Sequence, residues 1–298
     1  MTLAGFAVAK AALKGAAFLF RRLQAGGGIR RVFVVAAVVG LSGCASVDRF
    51  GGSRQAVVDW GRERGFEASH MLLGGFRLLS MQRRDPARPT EVLRVYIEGD
   101  GAAWQTPFHP PRDPTPLQPT ALALAAADPA PAVAYLGRPC QYLDADELVA
   151  CSAEYWTNSR FAAEVVTAYM AFLDRLKETS GARTLRLAGY SGGGVLAALL
   201  AARRSDVEGL VTVASPLAVA EWTAWHQATP LSGSLDPAAD VKPLPPATHF
   251  VGGRDSVVPP HVVAPFAARS GGRLRTVPEF DHQCCWSRDW RRLLEEVK

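Results

Sequence analysis

The pentapeptide Gly189-Tyr190-Ser191-Gly192-Gly193 constrains this chain more than any other feature. It lies between an apolar, β-prone run, Thr184-Leu185-Arg186-Leu187-Ala188, and a small-residue, helix-compatible run from Gly194 to Arg204. A serine between a strand and a helix, with glycines on both sides, reads as a tight turn that lifts the hydroxyl clear of the backbone. The glycines let the turn close and let other groups approach it. The helix that starts there aims backbone N–H groups and the positive end of its dipole at the same spot. A nucleophile that must generate and stabilise an oxyanion needs such surroundings. The competing reading of these five residues alone is a Gly/Ser-rich turn, so the partners further along the chain decide.

With 298 residues, 48% of them hydrophobic, the chain is long enough for one large α/β domain with a buried core. Strands are expected at 76–81, 91–98, 132–136, 184–188, 209–214, 248–251 and 273–277. Helices are expected near 54–64, 117–127, 159–178, 194–204, 258–269 and 287–297. This alternation predicts a mostly parallel central sheet with helices on both faces, and ligands at the carboxyl ends of its strands.

Two late segments supply a base and an acid. After the strand at 248–251 comes Gly252-Gly253-Arg254-Asp255-Ser256-Val257-Val258-Pro259, which puts Asp255 just past a strand end. After the strand at 273–277 comes Pro278-Glu279-Phe280-Asp281-His282. Of the six histidines, only His282 sits just beyond a late strand and before the closing helix. A serine hydroxyl is a poor nucleophile near neutral pH without a neighbouring base, and imidazole titrates in the right range. Asp281, Asp236 and Asp240 stay open as alternative acids. His249 reads as structural within its strand. His226, in Trp222-Thr223-Ala224-Trp225-His226, falls in an expected cap or loop, with a core role favoured over substrate contact.

The order Ser191, Asp255, His282, each after a strand, resembles the α/β-hydrolase superfamily from about residue 71 to the C-terminus. The resemblance implies the α/β-hydrolase fold, with Ser191 as nucleophile and His282 as general base and later general acid. It implies that Asp255 fixes the imidazole tautomer and stabilises its cation. It also implies an oxyanion hole made by the N–H of Gly192 and a second N–H from the loop after an early strand. That loop is Glu98-Gly99-Asp100-Gly101-Ala102-Ala103-Trp104; the N–H of Asp100 is the first choice and that of Gly101 the second. Glu98 stands where such enzymes often have His, and Asp100 where they often have Gly. Neither change removes a backbone donor, but the Asp100 carboxylate disfavours a strongly anionic substrate unless an arginine offsets it. The following stretch, Trp104 to Pro114, is Pro-rich and aromatic; it reads as a wall of an acyl pocket or an ordinary surface loop, with Trp222, Trp225 and Trp286 as further apolar wall.

The formal charge of +5 misleads. Residues 1–43 hold six basic residues and no acidic one; without those six of the 33 Lys and Arg, the 28 Asp and Glu outnumber the remainder by one. The basicity therefore reads as a targeting signal and gives no support for nucleic-acid binding. Arg30-Arg31, the apolar run Val32 to Leu41, and Leu41-Ser42-Gly43-Cys44 fit an export signal too short to span a membrane. Leu41-Ser42-Gly43-Cys44 resembles the lipobox of bacterial lipoproteins. The resemblance implies diacylation of Cys44 and an outer-membrane location facing the periplasm. The long segment before Arg30 is expected to reflect a start site set too far upstream. The expected organisation is a signal peptide at 1–43, a lipid anchor and tether at 44–70, and the hydrolase domain at 71–298.

Cys140, Cys151, Cys284 and Cys285 remain, and an exported chain can keep disulfides. Four cysteines allow three pairings, which spacing alone does not decide. Zinc binding by the cysteines near His282 is disfavoured because no other C-x-x-C spacing exists.

The expectation is thus a lipid-anchored serine hydrolase, a carboxylesterase or lipase in first place, cleaving an ester, thioester or amide through an acyl-Ser191 intermediate. No metal or organic cofactor is called for, and the partner is a small or lipid-like acyl substrate. A serine peptidase and a non-catalytic envelope lipoprotein on the same scaffold are the alternatives.

Overall fold

Strands with apolar residues on both faces need cover on both faces. In the computed structural model, which describes residues 51–102 and 109–297, eight strands form one sheet. They are β1 (Glu67–Leu73), β2 (Phe76–Arg84), β3 (Val92–Ile97), β4 (Ala132–Leu136), β5 (Thr184–Tyr190), β6 (Val207–Val213), β7 (Ala247–Gly252) and β8 (Arg273–Val277). The helices are α1 (Arg54–Arg62), α2 (Thr120–Ala127), α3 (Ala145–Val149), α4 (Ala163–Ser180), α5 (Gly192–Ala201), α6 (Val219–Trp225), α7 (Pro260–Ser270) and α8 (Trp286–Glu295). No helix among the described residues is long and apolar enough to cross a membrane.

The spatial order is β1-β2-β4-β3-β5-β6-β7-β8. β2 runs antiparallel to β1 and β4, and all other neighbours are parallel. The chain leaves β3 toward one edge and, from β5 onward, builds toward the other. The carboxyl ends of β3 and β5 therefore flank a topological switch point, where loops diverge and leave a crevice. The Ser191 turn and the Glu98–Ala102 loop both lie there.

Alternation along the strands divides the core. Leu93, Val95 and Ile97 of β3 face the layer of α4, α5 and α7, while Tyr96 faces α1, α2 and α8. In α4 the buried Val165, Tyr169, Phe172 and Leu176 recur at helical spacing and make one stripe. In α8, Trp286, Trp290 and Leu293 do the same against the opposite face. α5 is buried along its whole length, which its uncharged sequence Gly-Gly-Gly-Val-Leu-Ala-Ala-Leu-Leu-Ala allows.

Three local features depart from the sequence reading. The sheet begins at Glu67, so the boundary at 71 falls inside β1. This edge strand is largely exposed and shows little apolar alternation. It joins β2 through Gly74-Gly75, both with positive φ, in the two-residue hairpin such glycines favour. The segment Trp222 to His226, read as a cap or loop, falls in the second half and C-cap of α6, whose first amides Val219 and Ala220 are capped by the Asp236 carboxylate. Asp236 thus closes a helix end and is not the catalytic acid. α3 has a capping box built from Asp144 and Glu147.

One buried polar cluster ties the sheet to the α2/α8 face. The Asp128 carboxylate, fully buried after the last turn of α2, accepts the Tyr96 hydroxyl at 2.6 Å, Arg94 Nη1 at 2.9 Å and the Ala130 amide at 2.8 Å. Trp290 Nε1 donates to the Tyr96 hydroxyl oxygen at 2.9 Å. Removing one partner of such a network leaves the others buried and unsatisfied. Asp128→Ala is therefore expected to lower the unfolding free energy by about 3–5 kcal/mol in urea titration, and a loss below about 1 kcal/mol would contradict the cluster's structural role.

Candidate active site

Ser191 sits between β5 and α5 with φ 50° and ψ −125°, a conformation costly for any residue with a side chain. The backbone around it explains how the turn is held. Ser191 N donates to Val213 O at 2.8 Å and extends the β5–β6 pairing into the turn. A side chain at Gly189 would collide with the Gly193 carbonyl, and one at Gly193 with the carbonyls of Ile97 and Glu98. The two glycines thus let α5 start directly against the end of β3.

Asp255 and His282 arrive from the next two strand ends. The loops after β7 and β8 are joined by Gly253 N to Val277 O at 2.8 Å and Arg254 N to Phe280 O at 2.9 Å. An Arg254–Glu279 ion pair spans the same junction. Asp255 Oδ1 accepts the amides of Val257 and Val258 at 2.8 and 2.7 Å, which leaves Oδ2 for His282 Nδ1 at 2.9 Å. His282 Nε2 lies 3.2 Å from Ser191 Oγ. The Asp255 side chain is fully buried and that of His282 about one-sixth exposed, so the line runs from the interior to an accessible hydroxyl.

The His282 loop is braced from its backbone. Its carbonyl accepts the Tyr190 hydroxyl and Trp286 Nε1, both at 3.0 Å. Trp286, expected as an acyl-pocket wall, is instead fully buried and positions this loop. Asp281, one of the alternative acids, turns its carboxylate to the amides of Gln283 and Cys284 and so shapes the loop. Asp240 pairs with Lys242. His249 is buried, bonded to Thr212 Oγ, and lowered to about 4 by desolvation, in keeping with a structural role. His226, for which a core role was favoured, is exposed and meets the Val257 carbonyl beside the Asp255 loop. Trp225 is more than half exposed and stacks edge-on with His261.

Gly192 is the first residue of α5, so its N–H has no acceptor within the helix. Across from it, Gly99 passes over Ser191: a carbon added there would stand 3.3 Å from Ser191 Cβ. In this loop the Gly99 N–H is bound by Glu98 Oε1 and the Ala102 N–H by Pro114 O. The N–H groups of Asp100 and Gly101 meet no acceptor among the described residues. Residues 103–108, including Trp104 to Phe108 of the expected pocket wall, lie outside the described residues, as do the expected signal at 1–43 and Cys44; the expected anchor and tether at 44–70 is described only from residue 51, where it holds α1 and the start of β1. The end of the stretch is fixed by Trp156 Nε1 donating to Pro111 O at 3.0 Å.

Three residues near the site escaped the sequence reading. Arg138 and Arg160 pair with the two oxygens of Asp100 at 2.9 and 2.8 Å. Burial alone raises the Asp100 carboxyl, but these guanidiniums outweigh it and hold it below the usual carboxylate range. The condition attached to an anionic substrate, an offsetting arginine, is therefore met twice. Gln141 Nε2 donates to the Gly99 carbonyl at 3.0 Å. Arg138 follows the end of β4, a position that strand-end reasoning could flag; nothing in the sequence marks Arg160.

The cysteines pair as Cys140–Cys151, with Cα atoms 5.8 Å apart, and Cys284–Cys285, which are sequence neighbours. Among the described residues no three His, Cys, Asp or Glu side chains converge as a metal site would require.

Beneath the oxyanion loop, Glu98 is buried and accepts the amides of Gly99 and Ala121 through Oε1. Burial pushes its carboxyl up to about 7 against the pull of those two donors. A group whose folded pKa is raised stabilises fully below its unfolded value, near 4.5, and loses that contribution as pH rises through 7. Glu98→Gln keeps an acceptor without the charge. Its stability relative to wild type is expected to rise between pH 5 and 8, by up to about 3 kcal/mol; parallel pH–stability curves would contradict the buried, titrating carboxyl.

No protein-family model matches the chain, and no curated protein sequence does. Solved structures do match. Esterase Est1E from Butyrivibrio proteoclasticus aligns with a TM-score of 0.53 at 17% identity, covering 77% of this chain and 95% of its own. Esterase Pf2001 from Pyrococcus furiosus aligns with a TM-score of 0.56 at 12% identity, covering 79% and 93%. A bacterial membrane phospholipase A described as a virulence factor aligns with a TM-score of 0.51 at 15% identity, covering 82% and 91%. With the strand order and the turn at Ser191, these likenesses establish that the chain has the α/β-hydrolase fold.

Proposed function

We propose that this protein is a serine hydrolase that cleaves a carboxylic ester through an acyl-Ser191 intermediate. The observation that carries the reading is the hydrogen-bonded line from Ser191 Oγ through His282 to a buried Asp255. Asp255 Oδ2 accepts the Nδ1–H of the imidazole, which leaves the Nε2 lone pair facing Ser191 Oγ. His282 takes the hydroxyl proton as Oγ attacks the carbonyl carbon. The developing oxyanion is met by the N–H groups of Gly192 and Asp100, with Gly101 as the second candidate on that loop. Collapse expels the alcohol, protonated by His282. Water, activated by the same imidazole, then hydrolyses the acyl-serine. No step calls for a metal or organic cofactor.

Esters are placed ahead of peptides because more of the structural neighbours are named as esterases or a phospholipase than as a peptidase-related protein. The lipobox-like Leu41-Ser42-Gly43-Cys44 supports an envelope location, with Cys44 acylated and the catalytic domain facing the periplasm. Such a placement suits a lipid-like or small acyl substrate.

Turnover of p-nitrophenyl esters of graded chain length tests the chemistry. Ser191→Ala and His282→Ala are each expected to lower kcat/KM by at least about 10³-fold, and the double variant to add little, because the residues act as a unit. Undiminished turnover in Ser191→Ala would refute the proposed nucleophile, and a folded wild type with no turnover would favour a binding role for the scaffold. For the anchor, detergent phase partitioning is expected to place the wild type in the detergent phase and Cys44→Ser in the aqueous phase; equal partitioning would contradict lipidation.

A further inference from the structure

The loop that is proposed to supply the second oxyanion donor carries a carboxylate in an awkward place. A carbon added to Gly192 would collide with the Asp100 carboxyl oxygens, so this carboxylate rests against the first residue of α5. A negative charge beside the site of a developing oxyanion opposes catalysis, and the opposition grows as water is excluded. The protein surrounds the charge rather than omitting it. Arg138 Nη1 and Arg160 Nη1 each take one carboxylate oxygen, leaving the cluster with net positive charge.

Both arginines are themselves fixed. The Arg138 side chain is only 3% exposed, and its Nη2 donates to the Arg160 carbonyl at 2.7 Å. Arg160 Nε donates to Thr157 O at 2.6 Å. The clamp is therefore built into the interior and is not a flexible surface pair, which would contribute little.

Gln141 acts on the same loop from the other end of a peptide unit. In a trans peptide the C=O of one residue and the N–H of the next point in opposite directions. The Gln141 bond to the Gly99 carbonyl therefore sets where the Asp100 N–H points. The amide of Gln141 is oriented in turn, because its Oε1 accepts the Arg138 N–H at 3.0 Å. The Cys140–Cys151 disulfide and the positive φ values of Cys140 and Tyr142 flank this glutamine on the segment after β4.

We infer that Arg138, Arg160 and Gln141 are positioning residues of the oxyanion hole: the arginines neutralise the Asp100 carboxylate and lock it against Gly192, and Gln141 orients the Gly99–Asp100 peptide so that its N–H faces the reacting carbonyl. The inference rests on the serine-hydrolase reading and assigns these three residues to transition-state stabilisation, not to substrate binding. Gln141→Met keeps the length of the side chain and adds no charge, but loses the donor to Gly99. Arg160→Gln removes one of the two charges.

The test compares steady-state hydrolysis of p-nitrophenyl butyrate with inhibition by an alkyl trifluoromethyl ketone, whose hemiketal oxygen occupies the hole. Both variants are expected to lose about 10- to 100-fold in kcat, with KM within about twofold of wild type. The ketone should weaken by the same factor as kcat/KM falls. Arg160→Lys, which keeps a cation beside Asp100, should recover kcat to within about fivefold of wild type, and circular dichroism checks that each variant is folded. The inference is overturned if folded variants keep kcat, if the loss appears in KM alone, if ketone affinity stays at the wild-type value, or if Arg160→Lys loses as much as Arg160→Gln. Wild type that neither hydrolyses the ester nor binds the ketone overturns the serine-hydrolase reading itself, and this inference with it.

Discussion

Everything at this site depends on backbone meeting backbone at the Ser191 turn. Ser191 occupies a disfavoured conformation, and the turn closes only because Gly189 and Gly193 leave no side chain between α5 and the end of β3. That close approach does two things at once. It exposes the hydroxyl at the carboxyl edge of the sheet, and it presses the start of α5 against the loop after β3. The placement of the Ser191 hydroxyl and of the candidate oxyanion donors therefore follows from one packing contact. The strain is held by the flanking β-ladder, through Ser191 N to Val213 O, and by a helix buried on all sides.

The rest of the site is built by similar economy. The loops after β7 and β8 cross at Gly252 and Gly253, where a side chain would strike the Phe280 or Pro278 carbonyls. This crossing brings Asp255 to His282 without help from either side chain's own flexibility. Trp286 then fixes the His282 carbonyl from within the core, so the imidazole is attached to the interior rather than to a free loop. An imidazole held in this way loses little entropy on reaching the hydroxyl.

Much of this was legible in the sequence because the chemistry-bearing residues follow strand ends in chain order. The run Thr184-Leu185-Arg186-Leu187-Ala188 and the glycines after it located β5, Ser191 and α5 within a few residues. Asp255 and His282 followed from their places after late apolar runs. What escaped notice has identifiable causes. β1 lies at a sheet edge, where exposure erases the apolar alternation that betrays a strand. α6 is short and is defined by a cap from Asp236, 17 residues from Val219. Arg138 and Arg160 act on Asp100 across sequence separations of 38 and 60 residues, and no local pattern encodes such a meeting. Trp286 reads the same whether it lines a pocket or fills a core; only the fold distinguishes them.

The Asp100 cluster shows how the chain departs from a simpler loop of glycines. A glycine at this position would supply the same N–H without a charge to neutralise. The carboxylate brings two buried arginines with it, and together they tie the loop after β3 to segments after β4 and before α4. Rigidity of the donor loop is the physical gain, and the charge is balanced by the arginines that provide it. The central claim, that Ser191 is a nucleophile activated by His282, is tested most directly by covalent trapping. Wild-type protein incubated with a fluorophosphonate and digested for peptide mass spectrometry should carry one phosphonyl adduct, on Ser191, formed far more slowly in His282→Ala. An unlabelled folded wild type, or an adduct on another residue that survives in Ser191→Ala, would contradict the account.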